Sequence, residues 1–158
     1  MHVDQARLTG IDVQQTVRTA IRNNQVTNIG AGNIDGVVGI NIVQAKFAMV
    51  SNNTVNGVTS SSTGSGIAGI SSSGSGTEMT EIRDNSVINV VSPVGSVGIN
   101  NSGSNSNSVI NNRVLNSVAL GSTGITGGGG VNCINNVIQR YNTASTCNFN
   151  SGNVVPPP

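Results

Sequence analysis

Five copies of one six-residue phrase punctuate the chain: Ile21-Arg22-Asn23-Asn24-Gln25-Val26, Val50-Ser51-Asn52-Asn53-Thr54-Val55, Ile82-Arg83-Asp84-Asn85-Ser86-Val87, Val109-Ile110-Asn111-Asn112-Arg113-Val114 and Cys133-Ile134-Asn135-Asn136-Val137-Ile138. Their starts lie 29, 32, 27 and 24 residues apart. Self-similarity at such a period marks a solenoid, in which each repeat is one coil that cannot bury its apolar side alone. That constrains the fold far more than it constrains the activity.

Within a copy, positions 0 and 5 are apolar and position 3 is always asparagine: Asn24, Asn53, Asn85, Asn112 and Asn136. Position 2 is asparagine in four copies and Asp84 in the other. Strand side chains alternate faces, so an apolar-to-apolar step of five requires a bend between the two positions. Asparagine suits a bend, since it tolerates left-handed backbone and bonds to nearby main chain. A second signal follows each copy after a Gly/Ser/Asn-rich connection: Gly39-Ile40, Gly69-Ile70, Gly98-Ile99 and Gly124-Ile125, with Gly10-Ile11 ahead of them. One coil therefore reads strand, asparagine bend, strand, variable loop, Gly-Ile strand, return. Stacked coils place equivalent strands in parallel, with the position-3 amides in a ladder.

This arrangement resembles the parallel β-helix of the pectate-lyase-like superfamily, where an I-x-N-N-x-(V/I) pattern carries an asparagine ladder at one bend. The resemblance covers roughly residues 8–141 and implies an all-β, right-handed parallel β-helix of about five coils. Other architectures fit less well. A six-residue apolar period, as in left-handed hexapeptide helices, is absent, and the 127–130 glycine run lacks the aspartate of Ca²⁺-binding nonapeptide coils. An antiparallel sandwich would space its turn pairs at shorter intervals.

The chain reads as one domain over 1–158, with repeats over 8–141 and a capping tail over 142–158 that packs on the last coil. Residues 10–13 match residues 39–42, so the chain enters in mid-coil. An uncovered first rung exposes strand edges, and the expectation is either preceding coils in a longer parent protein or end-to-end self-association through the N-terminal coil. Serine, glycine and asparagine tracts at 59–66, 71–76 and 100–108 read as surface loops between strands, with a polar rim for sugar hydroxyls as the functional alternative.

Composition narrows the partners. Charged residues are 8% of the chain and the net charge is +1, with no basic cluster, no Trp, one Tyr and two Phe. Neither a counterion-releasing surface nor a base-stacking platform is available, which argues against nucleic acid. No apolar run reaches membrane-spanning length. No signal sequence is visible at the start, although the fold family and the low lysine content point to an extracellular or cell-surface setting.

Six carboxylates are present: Asp4, Asp12, Asp35, Glu78, Glu81 and Asp84. The one dense group is Glu81-Ile82-Arg83-Asp84, with Glu81 and Arg83 flanking inward Ile82 and Asp84 in the first asparagine slot of the bend. Such a group could serve acidic-sugar chemistry, which needs paired carboxylates or a base beside charge neutralisation. The plainer reading, and the expectation, is an ordinary charged edge with a surface ion pair. Lyases of the resembled superfamily carry outward Asp/Glu clusters for Ca²⁺ over many coils, and its polygalacturonases carry aspartate motifs; neither pattern is found here. His2 is the only histidine and stands near the N-terminus, so no metal or cofactor site is expected.

Cys133 stands at an inward apolar position and Cys147 lies 14 residues on. A buried free thiol is acceptable there, but the expectation is a Cys133–Cys147 disulfide that staples the tail to the last coil. Two functions stay open. One is a non-catalytic structural, assembly or polysaccharide-contacting domain; the alternative is a truncated polysaccharide lyase or hydrolase. An ice-binding face would need outward threonine ranks, which are absent.

Overall fold

The repeat translates directly into three strands per coil. A computed structural model, described for residues 1–30, 32–64, 66–103, 106–116 and 122–155, contains eighteen strands. The first level holds β1 (His2–Asp4), β2 (Thr9–Gln14) and β3 (Ala20–Arg22). Above it lie β4 (Gln25–Ile29), β5 (Val38–Val43) and β6 (Met49–Ser51), then β7 (Thr54–Thr59), β8 (Ile67–Ser73) and β9 (Glu81–Arg83). Next come β10 (Ser86–Val91), β11 (Ser96–Asn101) and β12 (Asn107–Ile110), then β13 (Arg113–Leu115), β14 (Thr123–Gly127) and β15 (Val131–Ile134). The last set is β16 (Val137–Gln139), β17 (Thr143–Ser145) and β18 (Phe149–Ser151).

Every third strand pairs in parallel, giving three six-stranded sheets: β1-β4-β7-β10-β13-β16, β2-β5-β8-β11-β14-β17 and β3-β6-β9-β12-β15-β18. The chain is a β-solenoid. Register aligns like with like. Position 0 forms the column Ile21, Val50, Ile82, Val109, Cys133. Position 5 forms Val3, Val26, Val55, Val87, Val114, Ile138. The Gly-Ile signal forms Ile11, Ile40, Ile70, Ile99, Ile125. From the second level upward these side chains are buried, and together they are the apolar core. Removing a Val or Ile side chain from water contributes about 1.5–3 kcal/mol, which no single coil could collect alone.

The bend within the phrase falls at position 2. Asn23, Asn52, Asp84, Asn111 and Asn135 all have φ between 53° and 55°. Short polar side chains adopt that left-handed conformation at the least cost. The glycine of the Gly-Ile signal has a different reason. At Gly39 and Gly98 a Cβ would press into the position-5 valines, Val55 and Val114, and into the main chain of the next coil. Glycine at this column lets the second sheet lie directly against the first.

The tail does more than fold over the last coil. β17 pairs with β14, β18 pairs with β15, and Val154 bridges to Val137, so all three ladders continue into it. Asn150-Ser151-Gly152-Asn153-Val154-Val155 is a degenerate further copy: Asn150 pairs with Cys133 at position 0, and Gly152 takes the left-handed slot with φ 62°. Polar Asn150 and glycine in place of asparagine hide this copy in the sequence. At the other end, β1 adds residues 2–4 to the first sheet, and β2 and β3 are the terminal strands of theirs.

Two of the tracts read as surface loops are partly core strand. Ser71–Ser73 finish β8, Asn100 and Asn101 finish β11, and Asn107 and Ser108 begin β12. Ser72, Asn101 and Asn107 have no exposed surface. Positions 65, 104 and 105 of the tracts, and 156–158 of the tail, lie outside the described residues. No helix among the described residues is long and apolar enough to cross a membrane.

Candidate functional site

The position-3 asparagines occupy the corner between the third sheet and the first, and they stack in one line. Each Oδ1 accepts two bonds from the asparagine one coil earlier, one from its backbone N–H and one from its Nδ2. These run at 2.9 and 3.0 Å from Asn24 to Asn53 and from Asn53 to Asn85, at 3.0 Å in both from Asn85 to Asn112, and at 2.9 and 3.1 Å from Asn112 to Asn136. Asn153 extends the line, accepting from Asn136 at 2.8 and 3.0 Å. Each Nδ2 also donates to the position-0 carbonyl of the coil before: Asn53 to Ile21, Asn85 to Val50, Asn112 to Ile82 and Asn136 to Val109, all at 2.9 Å. Buried amides thus spend both donors and both acceptor lone pairs.

The charged group on the third sheet is assembled as strand alternation requires. Ile82 is buried, and Glu81 and Arg83 stand half-exposed on the outward face. Arg83 holds both carboxylates, Nε to Glu81 Oε1 at 2.6 Å and Nη1 to Asp84 Oδ2 at 2.9 Å. Below it Met49 Sδ lies 2.9 Å from Arg22 Nη2 and 3.9 Å from Arg83 Nη2. The structure therefore brings Glu81, Arg83 and Asp84 together, with both acids paired to the one guanidinium.

The remaining carboxylates are engaged as well. Asp4 accepts from Thr27 Oγ1 at 2.7 Å and Asn28 Nδ2 at 2.8 Å. Those bonds, the threonine's first, favour the ionised form and hold its carboxyl below the ordinary range. Asp12 accepts from Gln14 at 2.7 Å and Asn41 at 2.9 Å. Asp35 accepts from Ser62 Oγ, tying the 59–66 tract to the preceding coil's loop, and Glu78 pairs with Lys46 at 2.5 Å. Among the described residues no three His, Cys, Asp or Glu side chains gather as a metal-ligand set.

A shallow cleft of about 210 Å³ opens on the first sheet, lined by Ile88, Asn89, Leu115, Asn116, Gln139 and Arg140. It lies on a different sheet from the charged group, and none of these lining residues is a carboxylate. Cys133 and Cys147 form a disulfide with Cα atoms 6.0 Å apart, which binds β15 to the turn between β17 and β18. Tyr141 is partly buried near Gly98, and the desolvation pushes its phenol well above the ordinary value.

Several of these features were not singled out in the sequence. Asn153 was findable from the Asn-Val-Val that repeats positions 3 to 5. Buried Ser72, Asn101 and Asn107 carried no such signal, because serine and asparagine are what loops contain. Comparison of the chain with protein-family models, with curated proteins and with solved structures returned no match.

Proposed function

We propose that this chain is a non-catalytic structural domain of an exported or cell-surface protein, a rigid β-solenoid spacer or assembly unit whose polar flanks contact polysaccharide. The observation that carries the reading is the engagement of all six carboxylates: Asp4, Asp12 and Asp35 by hydrogen bonds, Glu78 by Lys46, and Glu81 and Asp84 by Arg83. Glycoside hydrolysis needs an acid and a second carboxylate free to meet substrate, and lyase chemistry needs a free base. The asparagine ladder supports the spacer role, since it ties successive coils together from Asn24 to Asn153. Right-handed coiling, a place in the pectate-lyase-like superfamily, and end-to-end contact between copies belong to this proposal too, and rest on the repeat pattern alone.

A second reading, a partial polysaccharide lyase or hydrolase, is favoured by one observation: Glu81, Arg83 and Asp84 sit together on an outward sheet face. The two are separated by incubating the chain with polygalacturonate, alginate and neutral glycans, with Ca²⁺ present, and measuring release of unsaturated or reducing ends. The structural reading expects none, together with co-sedimentation on at least one insoluble glycan. Turnover abolished by Glu81→Gln or Asp84→Asn would replace it with the enzyme.

A further inference from the structure

The corner between the second sheet and the third contrasts with the ladder corner. Its inward residues change character along the axis. One level carries Ile42, Ala45 and Ala48, all buried and apolar. One coil up the equivalents are Ser72, Thr77 and Thr80, and the next coil places Asn101 over Ser72 and Asn107 over Thr80. All five of these polar residues are 0–1% exposed. The two sides of the corner lie close together, since Asn101 ends β11, Asn107 begins β12, and a Cβ at Gly103 would abut both Asn107 Nδ2 and Thr77 O.

Five side-chain atoms here have no hydrogen-bond partner among the described residues: Ser72 Oγ, Thr80 Oγ1, Asn101 Oδ1, Asn101 Nδ2 and Asn107 Nδ2. Buried polar atoms are otherwise paired almost without exception, with protein or with ordered water. Asn101 finds no amide in its own column, where Ser72 lies below and Gly127 above. The hydroxymethyl of Ser72 replaces the sec-butyl group of Ile42 at the same place in the coil, which releases volume beside it.

We infer that this corner is an internal hydration site, holding ordered water that bridges Asn101 and Asn107 to Ser72 and Thr80. The donor set selects water over a cation. Asn107 Oδ1 accepts the Thr80 backbone N–H at 2.8 Å, which fixes its Nδ2 as an N–H donor. A donor repels a cation, whereas water accepts from the two amides and donates to Asn101 Oδ1 and the hydroxyls. Such a site has the two to four polar partners that buried water requires.

The test is oxygen-17 water relaxation dispersion on the intact chain, which counts water molecules that exchange slowly with bulk. Two variants are compared with it: Ser72→Ile, which copies the coil below, and the double substitution Asn101→Leu, Asn107→Leu. Circular dichroism verifies that each retains its strands, and Ser72→Ile serves alone if the double variant does not fold. The expected result is a dispersion amplitude lower by that of at least one long-lived water per chain. An unchanged amplitude in a folded variant overturns the site. A high-resolution crystal structure decides independently: a discrete density peak within hydrogen-bond distance of Asn101 and of Thr80 or Ser72 supports it, and a direct Asn101–Asn107 amide pair with no peak between overturns it.

Discussion

Two of the corners that bury asparagine in this solenoid have opposite outcomes. At the ladder corner Asn53, Asn85, Asn112 and Asn136 pair every polar atom, because the coil above and the coil below offer the same amide in the same orientation. At the corner between the second and third sheets Asn101 stands between Ser72 and Gly127, and neither end of its amide meets a partner among the described residues. Residue type and burial are the same. The difference is repetition, since a buried polar group in a stacked fold is satisfied by its own copies one rung away. Where the column changes residue, that supply stops.

The sharpest way to break this comparison is to make the same substitution at both corners. Asn112→Leu strands the Asn85 N–H, the Asn85 Nδ2 and the Ile82 carbonyl, all buried. At about 1–3 kcal/mol for each unsatisfied buried group, partly relieved by relaxation, the loss should be about 4 kcal/mol. Asn101→Leu strands no protein partner, so its change should stay within about 1 kcal/mol of the parent. Urea unfolding of the two variants measures the gap. Equal losses would show that the repeated ladder gives no special protection.

The second test moves to the end of the stack, where repetition gives out and a covalent link stands in. The disulfide closes a separation of 14 residues, and a loop of that size stabilises by roughly 3 kcal/mol in the chain-entropy model. Cys133→Ala with Cys147→Ala should therefore release β17 and β18 while leaving the central coils protected, because solenoid repeats feel mainly their neighbours. Amide hydrogen exchange read by segment checks it. Global loss of protection would mean that the last rungs nucleate the whole stack.

How much of this was legible in the sequence follows the same rule. The three apolar columns and the ladder were readable because each is the same residue, or nearly so, in every coil. The Gly-Ile signal was readable as a marker, but its purpose was not. Only the register shows that Gly98 lies under Val114, with the main chain of Gly124 beside it. The outward grouping of Glu81 and Arg83 followed from strand alternation, yet the sharing of one guanidinium by Glu81 and Asp84 depends on rotamers that no pattern encodes. Asn150 and Gly152 concealed a rung by departing from the consensus at two positions. Ser72 and Asn101 were read as loop because a buried serine in a strand looks, residue by residue, like an exposed one in a turn.

The glycine column supplies the third test. Gly98→Ala adds a methyl group where Val114 and the Gly124 carbonyl already meet. Overpacking of this kind costs about 2 kcal/mol. Gly129→Ala, at a position with nothing within 4 Å of the added Cβ, should be close to neutral. Differential scanning calorimetry on the pair gives the comparison, and a neutral Gly98→Ala would show that the first two sheets can separate to accommodate it.

The smallest effect concerns a turn column that never settled on one residue. Arg18, Phe47, Met79, Ser106 and Gly130 follow one another at the turn before the third sheet, all with positive φ. Phe47 has φ 53° and leaves half its surface exposed, so it bears the left-handed strain with little burial in return. At the ladder bend the equivalent conformation is held by asparagine in four of the five phrases. Phe47→Asn should therefore stabilise the chain by about 1 kcal/mol, since asparagine tolerates this region and can bond to nearby main chain. Phe47→Gly should gain less, because glycine relieves the strain but adds freedom to the unfolded chain. Urea midpoints order the three proteins. A Phe47→Asn variant less stable than its parent would show that the ring's packing against its neighbours outweighs the strain, and that this turn, unlike the ladder bend, is held by side-chain contact across coils.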